Sequence, residues 1–390
     1  MDGDGTGVAD STGSICVTGG CSETNTDVYP YYDPDCLADA DCDPGWGCVE
    51  ERCVALPSLA RCAADSLAAE IPWGVTQAPV ISLAFVANET PAVLCLGGGS
   101  PELLTEGAAS QVLAGEVAVI DAVVADLDGD ANLEFVATDG AQIFRHGQVA
   151  ESQPTFLVDA SVDRVFVGDA TGDTLLDVFG RSTDHLSVVL APAIGAGDYG
   201  VPIDIPLPAA ADAVAVGDID GDGVLELVVA MSMDGTMRIA TVDLAAEPAV
   251  HLLTGEHEAV SALAVGRLND DARDDIAVIG PRGASGPTFL TTLLWVSDDV
   301  VASNPVSLSG SYATVLIGAF GRGGAESVIL GGASELRVVE YDFGEPSCYS
   351  VYPSGPGGPA TALAAGDRDG DGKPELLRGG GTSVGSFASY

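Results

Sequence analysis

Asp126, Asp128, Asp130 and Glu134 occupy positions 1, 3, 5 and 9 of one short stretch. The same spacing returns at Asp218, Asp220, Asp222 and Glu226, and again at Asp367, Asp369, Asp371 and Glu375. Alternate side chains of a tight turn converge on one point, position 7 (Asn132, Val224, Lys373) offers its backbone carbonyl, and position 9 closes the shell. Glycines at Gly129, Gly221, Gly223, Gly370 and Gly372 supply the positive φ angles that such a turn needs. About six or seven oxygens around a hard cation is the coordination that Ca²⁺ takes. Carboxylates this close repel one another unless neutralised, so the ion is expected to be structural.

Related stretches depart from the pattern. One has Asp169, Thr171, Asp173 and Asp177, with a hydroxyl replacing a carboxylate. Another begins at Arg267 and continues with Asn269, Asp271 and Asp275, so a guanidinium is expected to stand in for the metal by pairing with those acids. A further copy (Ala319, Gly321, Gly323, Ser327) has lost the ligands, as has the earliest, Leu83 to Gly98. Four Ca²⁺ sites are therefore expected, roughly, with the Arg267 stretch a weaker fifth.

Each stretch lies between two apolar runs, the first ending in Gly or Ala, as in VAVGDIDGDGVLELVVA (Val214 to Ala230). The period is roughly 40 to 50 residues, which is blade length in a β-propeller. Each repeat parses into four short strands; in the second these are Ala118 to Ala125, Leu133 to Ala137, Ala141 to His146 and Thr155 to Asp159. The seventh repeat runs out at Ser383 to Tyr390, its third strand, while Ala68 to Val75 precedes the first repeat with no blade of its own. A ring leaves no open edge, so Ala68 to Val75 is expected to be the outer strand of the seventh blade. An EF-hand is excluded, because its last acid falls at position 12 between helices, whereas here it falls at position 9 between Val- and Leu-rich strands.

Asp-x-Asp-x-Asp-Gly-x-x-Glu/Asp between two strands, recurring at blade length, resembles the FG-GAP/VCBS repeats of the integrin α-subunit type of propeller. The resemblance covers residues 67–390. It implies a seven-bladed ring in which the acidic loop joins the first two strands of a blade and holds Ca²⁺, with the opposite face often binding ligand. No gap between repeats has room for the inserted adhesion domain of some integrins.

The chain carries 14 Lys plus Arg against 58 Asp plus Glu, a formal net charge of −44, which excludes nucleic acid and anionic membrane surfaces as favoured partners. Its apolar runs are short and broken by Gly, Asp or Pro, well below the roughly 18 residues that span a bilayer. The opening residues show no basic n-region and apolar h-region, so export is expected to rest on a signal absent from this chain. Cys16, Cys21, Cys36, Cys42, Cys48, Cys53 and Cys62 crowd into a core-poor segment without His or CxxC, which favours disulfides over zinc and an extracellular or cell-surface setting. Residues 1–28 read as a flexible acidic and Gly-rich leader, a candidate tether, and 29–66 as a small cysteine module. Cys348 lies in the expected outer strand of the sixth blade, beside the incoming N-terminal strand, so it is expected to bond Cys62 and leave Cys95 free.

His146 and His185 sit in separate repeats, and His251 and His257 precede the Arg267 stretch without metal-site spacing. No GxSxG, P-loop or strand-turn-helix GxGxxG is present. The favoured reading is a non-catalytic, calcium-rigidified adhesion module whose partner is an extracellular protein or carbohydrate. The alternatives are a polysaccharide lyase or hydrolase, and a structural subunit of an extracellular assembly. Arg, His, Tyr and carboxylate gathered at one mouth of the channel would favour the enzyme, and Ala, Gly and Ser there would oppose it.

Overall fold

The structure, a computed structural model, describes the chain apart from residues 1–7, 10–14, 18–19, 22–45, 50–51, 56–58, 64–66, 77–79, 81, 87–91, 97–101, 106–110, 113–118, 129–133, 148–154, 196, 234–235, 245–247, 254–258, 270, 282–287, 297–298, 304, 322–325, 343, 354–358, 367–372 and 389–390. It divides into two units, Met1–Ala55 and Leu56–Tyr390. In the first unit Val8–Ala9, Ile15–Val17 and Gly20–Cys21 form a three-stranded sheet, and Trp46–Val49 pairs with Arg52–Ala55. Paired strands thus occur within the stretch expected as a leader, and Cys16 stands opposite Cys21 in the ladder. The connectivity expected among the remaining N-terminal cysteines lies outside the described residues.

The second unit is a β-propeller, and no helix occurs among its described residues. Each sheet is built on an antiparallel meander, and where a repeat carries an acidic loop, that loop joins the first strand to the second. The fourth sheet shows the pattern: Ala211–Gly217, Glu226–Met233, Thr236–Asp243 and Ala249–Leu252, paired in sequence order. Its second strand is buried over most of its length, which is why it reads as a continuous Leu, Val and Ala run instead of an alternating one.

The other first strands are Ser82–Val86, Asp121–Ala125, Val162–Gly168, Ala262–Gly266, Tyr312–Gly318 and Ala362–Gly366. Strand pairing gives seven sheets of four or five strands, whereas a count of blades gives six. Ser82–Val86 lies against both Asp121–Ala125 and Ala362–Gly366, so the succession returns on itself.

The core is divided among the interfaces between successive sheets. Leu227, Val229 and Ala240 of the fourth sheet pack with Phe179, Val188 and Leu190 of the third, and Ile276, Val278 and Leu293 of the fifth pack with Val228 and Ile239 of the fourth. The glycine ending a first strand has a steric cause. A Cβ at Gly168 would lie 2.1 Å from Leu225 Cδ1, and one at Gly217 would lie 2.2 Å from Val265 Cγ1, so a side chain there would force neighbouring sheets apart.

Closure is made from both ends of the unit. Ile71–Val75 pairs antiparallel with Ser383–Ala388 as the outermost strand of the sheet that begins at Ala362, with Val75 opposite Ser383. Ala68 N–H donates to the Ala388 carbonyl at 2.9 Å, and Arg378, almost wholly buried, bonds Glu70 at 2.8 Å. Just upstream, Ala60–Arg61 adds a parallel strand beside Glu345–Pro353, and Cys62 is disulfide-bonded to Cys348 across a Cα separation of 5.1 Å. The expected pairing of those cysteines is present. Residues 59–62 therefore belong with the propeller, and the unit begins at Leu56, earlier than the expected boundary at residue 67.

Candidate functional sites: the acidic loops and the channel mouth

Four loops share one scaffold bond. The carboxylate at position 9 accepts the N–H of position 2: Glu134 from Leu127 at 3.0 Å, Asp177 from Ala170 at 2.9 Å, Glu226 from Ile219 at 2.8 Å and Asp275 from Leu268 at 2.9 Å. This bond closes the turn, and spacing alone had presented these acids only as ligands. Asp177 and Asp275 are fully buried, and their second oxygens accept the N–H groups of Ala193 and Trp295, at 2.8 and 3.1 Å.

In the fourth loop Asp218 accepts the N–H groups of Gly221 and Gly223, Asp220 that of Asp222, and Asp222 that of Val224. Gly221 and Gly223 have φ of +80° and +89°, the left-handed turn expected of them. Asp218, Asp220 and Glu226 each bring one oxygen within 4.8 Å of the others. Burial, with Asp220, Asp222 and Asp218 alongside, pushes Glu226 up to about 7. Asp220 is raised as well, by burial and then by its acidic neighbours. Both shifts combine burial, the larger cause, with the repulsion of neighbouring carboxylates.

The second loop gathers Asp126, Asp128 and Glu134 in the same way, with Asp128 also 3.5 Å from Arg145. Its Asp130 and Asn132 lie outside the described residues, as do Asp367, Asp369 and Asp371 of the seventh loop, of which Lys373 and Glu375 are described. In the third loop Asp169 accepts from Gly172, Asp173 and Thr174, and Asp173 from Leu175. Thr171 Oγ1 is buried beside Asp177 without completing a well-formed hydrogen bond.

The fifth loop corrects one expectation. Arg267 does not pair with Asn269, Asp271 or Asp275; it lies 3.9 Å from Asp274, with its side chain more than half exposed. Asp275 is turned inward to backbone donors, and Asp271 accepts the N–H of Arg273, so the acids are held without the guanidinium. Burial, with Asp271 and Asp274 near, pushes Asp275 up to about 6.

Neighbouring loops are also joined to each other. Leu225 N–H donates to the Asp169 carbonyl at 2.9 Å, and Asp274 N–H donates to the Asp218 carbonyl at 2.8 Å, so position 8 of one loop holds position 1 of the preceding one. Asp218 N–H returns a bond to the Asp274 carboxylate at 3.0 Å.

The opposite ends of the first strands line a channel mouth. Arg181 bonds Asp163 through Nε and Nη2, at 2.8 and 2.7 Å, and donates through Nη1 to the carbonyls of Ala211 and Asp212 in the next sheet. His185, at φ +64°, places Nε2 2.9 Å from the same Asp163 carboxylate. Burial works against ionisation of Asp163, but the bonds from Arg181 and His185 outweigh it and hold the carboxyl below its ordinary range. Arg164 lies 3.6 Å from Asp121, whose other oxygen accepts the Val165 N–H. Burial raises Asp121 despite Arg164. The rest of the mouth carries Ala213, Ala262, Ala313 and Ala362, with the Asp212 carboxylate and the hydroxyls of Ser261, Thr314 and Thr361. The mouth therefore matches neither of the two compositions expected to separate enzyme from binding module: one side is charged, and the other carries Ala and Ser.

The mouth also has a signal in the sequence. Asp163, Asp212, Ser261, Ala313 and Thr361 all stand six residues before position 1 of their loops, so the repeat that locates the acidic loops also locates the mouth.

No family model matches this chain, and no curated protein matches it. Solved structures do. BBS1N, crystallised in complex with ARL6DN, is 13% identical with a TM-score of 0.58, over 84% of this chain and 98% of that one. A streptogramin B lyase is 9% identical with a TM-score of 0.57, over 84% and 100%. A hydrazine synthase from Kuenenia stuttgartiensis is 11% identical with a TM-score of 0.56, over 81% and 97%. At these identities the likeness establishes the propeller fold alone.

Proposed function

We propose that this chain is a calcium-braced, extracellular or cell-surface propeller that acts as a non-catalytic ligand-binding module. One observation carries the calcium reading: in two loops of equal spacing, three carboxylates bring their oxygens within 4.8 Å of one another. Carboxylates gathered with no cation among them are at their least stable when all are ionised, and a hard divalent ion removes that cost. The ring is read as seven-bladed, because each of the seven sheets has its own register of paired residues and the first lies against both the second and the seventh. Acid spacing, blade period and loop position together support assignment to the FG-GAP/VCBS type. The Cys62–Cys348 bond supports an oxidising compartment.

A propeller presents a ligand surface on either face. The complex of BBS1N with ARL6DN is a protein-binding instance of a similar fold. A lyase or hydrolase is the second reading, favoured by Arg181, His185 and Asp163 meeting at the mouth. Their bonds are spent largely on one another and on backbone carbonyls, which supports binding over catalysis.

The test is melting of the full chain in Ca²⁺ and in EDTA. An ion that binds only the folded state stabilises it by RT ln(1 + [L]/Kd), about 2.7 kcal/mol at a hundredfold excess over Kd, so an upward shift of several degrees is expected. Asp218→Asn combined with Asp220→Asn should shrink that shift. Equal melting in the two buffers would overturn the calcium reading.

A further inference from the structure

The positions around the mouth repeat from sheet to sheet, and two break the pattern, the buried Asp121 of the second repeat and Arg164 of the third. Five residues before position 1 stand Ala213, Ala262, Thr314 and Ala362 in the fourth to seventh repeats, all lining a cavity of about 280 Å³. The third repeat has Arg164 there, its side chain 52% exposed, in a chain with only 14 Lys plus Arg. A guanidinium carries five N–H donors, and the one ion-pair partner of Arg164 among the described residues is Asp121, at 3.6 Å. Asp212, which lines the same cavity, is exposed, and its carboxylate has no partner among the described residues. The hydroxyls of Ser261 and Thr314, on the same wall, are likewise unspent, whereas Thr361 gives its hydroxyl to the Val80 carbonyl at 2.7 Å.

The open chemistry is thus one donor-only group, one acceptor-only group and two hydroxyls that do both. The small side chains of Ala213, Ala262 and Ala313 leave these groups room, and Leu83 and Leu263 are packed into the cores between sheets. A ligand that satisfies all of these offers closely spaced donors and acceptors and little net charge. A polyanion is disfavoured by the net charge of −44. The volume lies at or just below the roughly 300 Å³ at which small-molecule pockets begin, which suits one ring and not an extended chain.

We propose that the channel mouth binds the neutral terminal sugar ring of a glycan, with Arg164 donating to ring hydroxyls, Asp212 accepting from them and the hydroxyls of Ser261 and Thr314 completing the contacts. This rests on the reading of the chain as a non-catalytic binding module, and it names the ligand class of that module.

The full chain in Ca²⁺ is screened on an array of neutral, uronic-acid and sulfated glycans. Hits are titrated calorimetrically, with the free terminal monosaccharide as competitor. At least one neutral glycan should bind, its monosaccharide should compete, and Arg164→Ala or Asp212→Asn should each weaken it about tenfold or more. Ser261→Trp, on another sheet, should abolish binding by filling the cavity. Melting in Ca²⁺ and EDTA is read on the same preparations. A calcium shift without neutral-glycan binding overturns this proposal alone, and glycan binding without a calcium shift overturns the calcium reading alone. Exclusively anionic hits, or neutral binding unmoved by all three variants, also overturn the proposal.

Discussion

Replacing Arg181 with Met tests whether the charged side of the mouth is a latch between sheets. The side chain is 10% exposed, makes two short bonds to Asp163 and caps two carbonyls of the fourth sheet. Met fills a similar volume but leaves Asp163, 22% exposed, charged and half-buried beside His185 alone. Breaking a buried pair costs about 3–5 kcal/mol, and the partial exposure of Asp163 places this one near 3. For a unit on the order of 300 residues the melting entropy is about 0.7 kcal/mol per degree, so melting should fall by roughly 4–5 °C at pH 7.

The penalty should also depend on pH. The folded pKa of Asp163 is depressed below 3.8, so its stabilising contribution is present above that value and lost as pH falls through the folded pKa. In the variant, burial is no longer offset by Arg181, so the carboxyl takes a proton at higher pH. The gap in melting temperature between wild type and variant should therefore narrow as pH drops from 7 to about 3.5, followed by circular dichroism. A penalty below about 1 °C at pH 7, or one that stays constant with pH, would refute the latch.

Asp177→Ala, measured in EDTA, should cost about 2–4 kcal/mol in thermal unfolding, because it orphans the buried N–H groups of both Ala170 and Ala193. Gly280→Ala should be severe, at about 2 kcal/mol or more, since its Cβ would lie 1.9 Å from the Ala259 carbonyl oxygen; Gly195→Ala, with nothing within 4 Å, should be nearly neutral in the same denaturation series. Replacing Cys62 and Cys348 together with Ser should lower stability by about 5–6 kcal/mol by chain entropy, since the bond spans a separation of 286 residues; chemical denaturation with and without reductant checks it.

The parts of the fold that repeat were legible in the chain. The apolar run, the acidic turn and the next apolar run locate the first two strands of each sheet because their spacing obeys blade geometry, and Ala68 to Val75 stood out as a strand with no sheet of its own. What stayed hidden depends on residues that do not recur. Ala193–Gly195 and Asp198–Tyr199 form an extra hairpin between the third and fourth strands of the third sheet, outside the four-strand parse of the repeat. The parallel pairing of Ala60–Arg61 rests on two residues with no strand signature. Arg181, Asp163 and His185 meet because a strand, its neighbour and a turn converge, a relation no local spacing encodes. The position-9 acids were found for their oxygens, but their inward bonds to position-2 N–H groups follow from the handedness of the turn, which spacing does not fix.

The bond between Cys62 and Cys348 decides where a pull on the chain is felt. Tension applied ahead of Cys62 reaches the sixth sheet through a covalent link, and does not have to pass through residues 63 to 70 to the hydrogen bonds that hold Ile71–Val75 against Ser383–Ala388. The closing strand thus lies in a segment that this tension bypasses. Under load the ring should stay closed until the sixth sheet itself gives way, and in reductant the same load should peel the closing strand first.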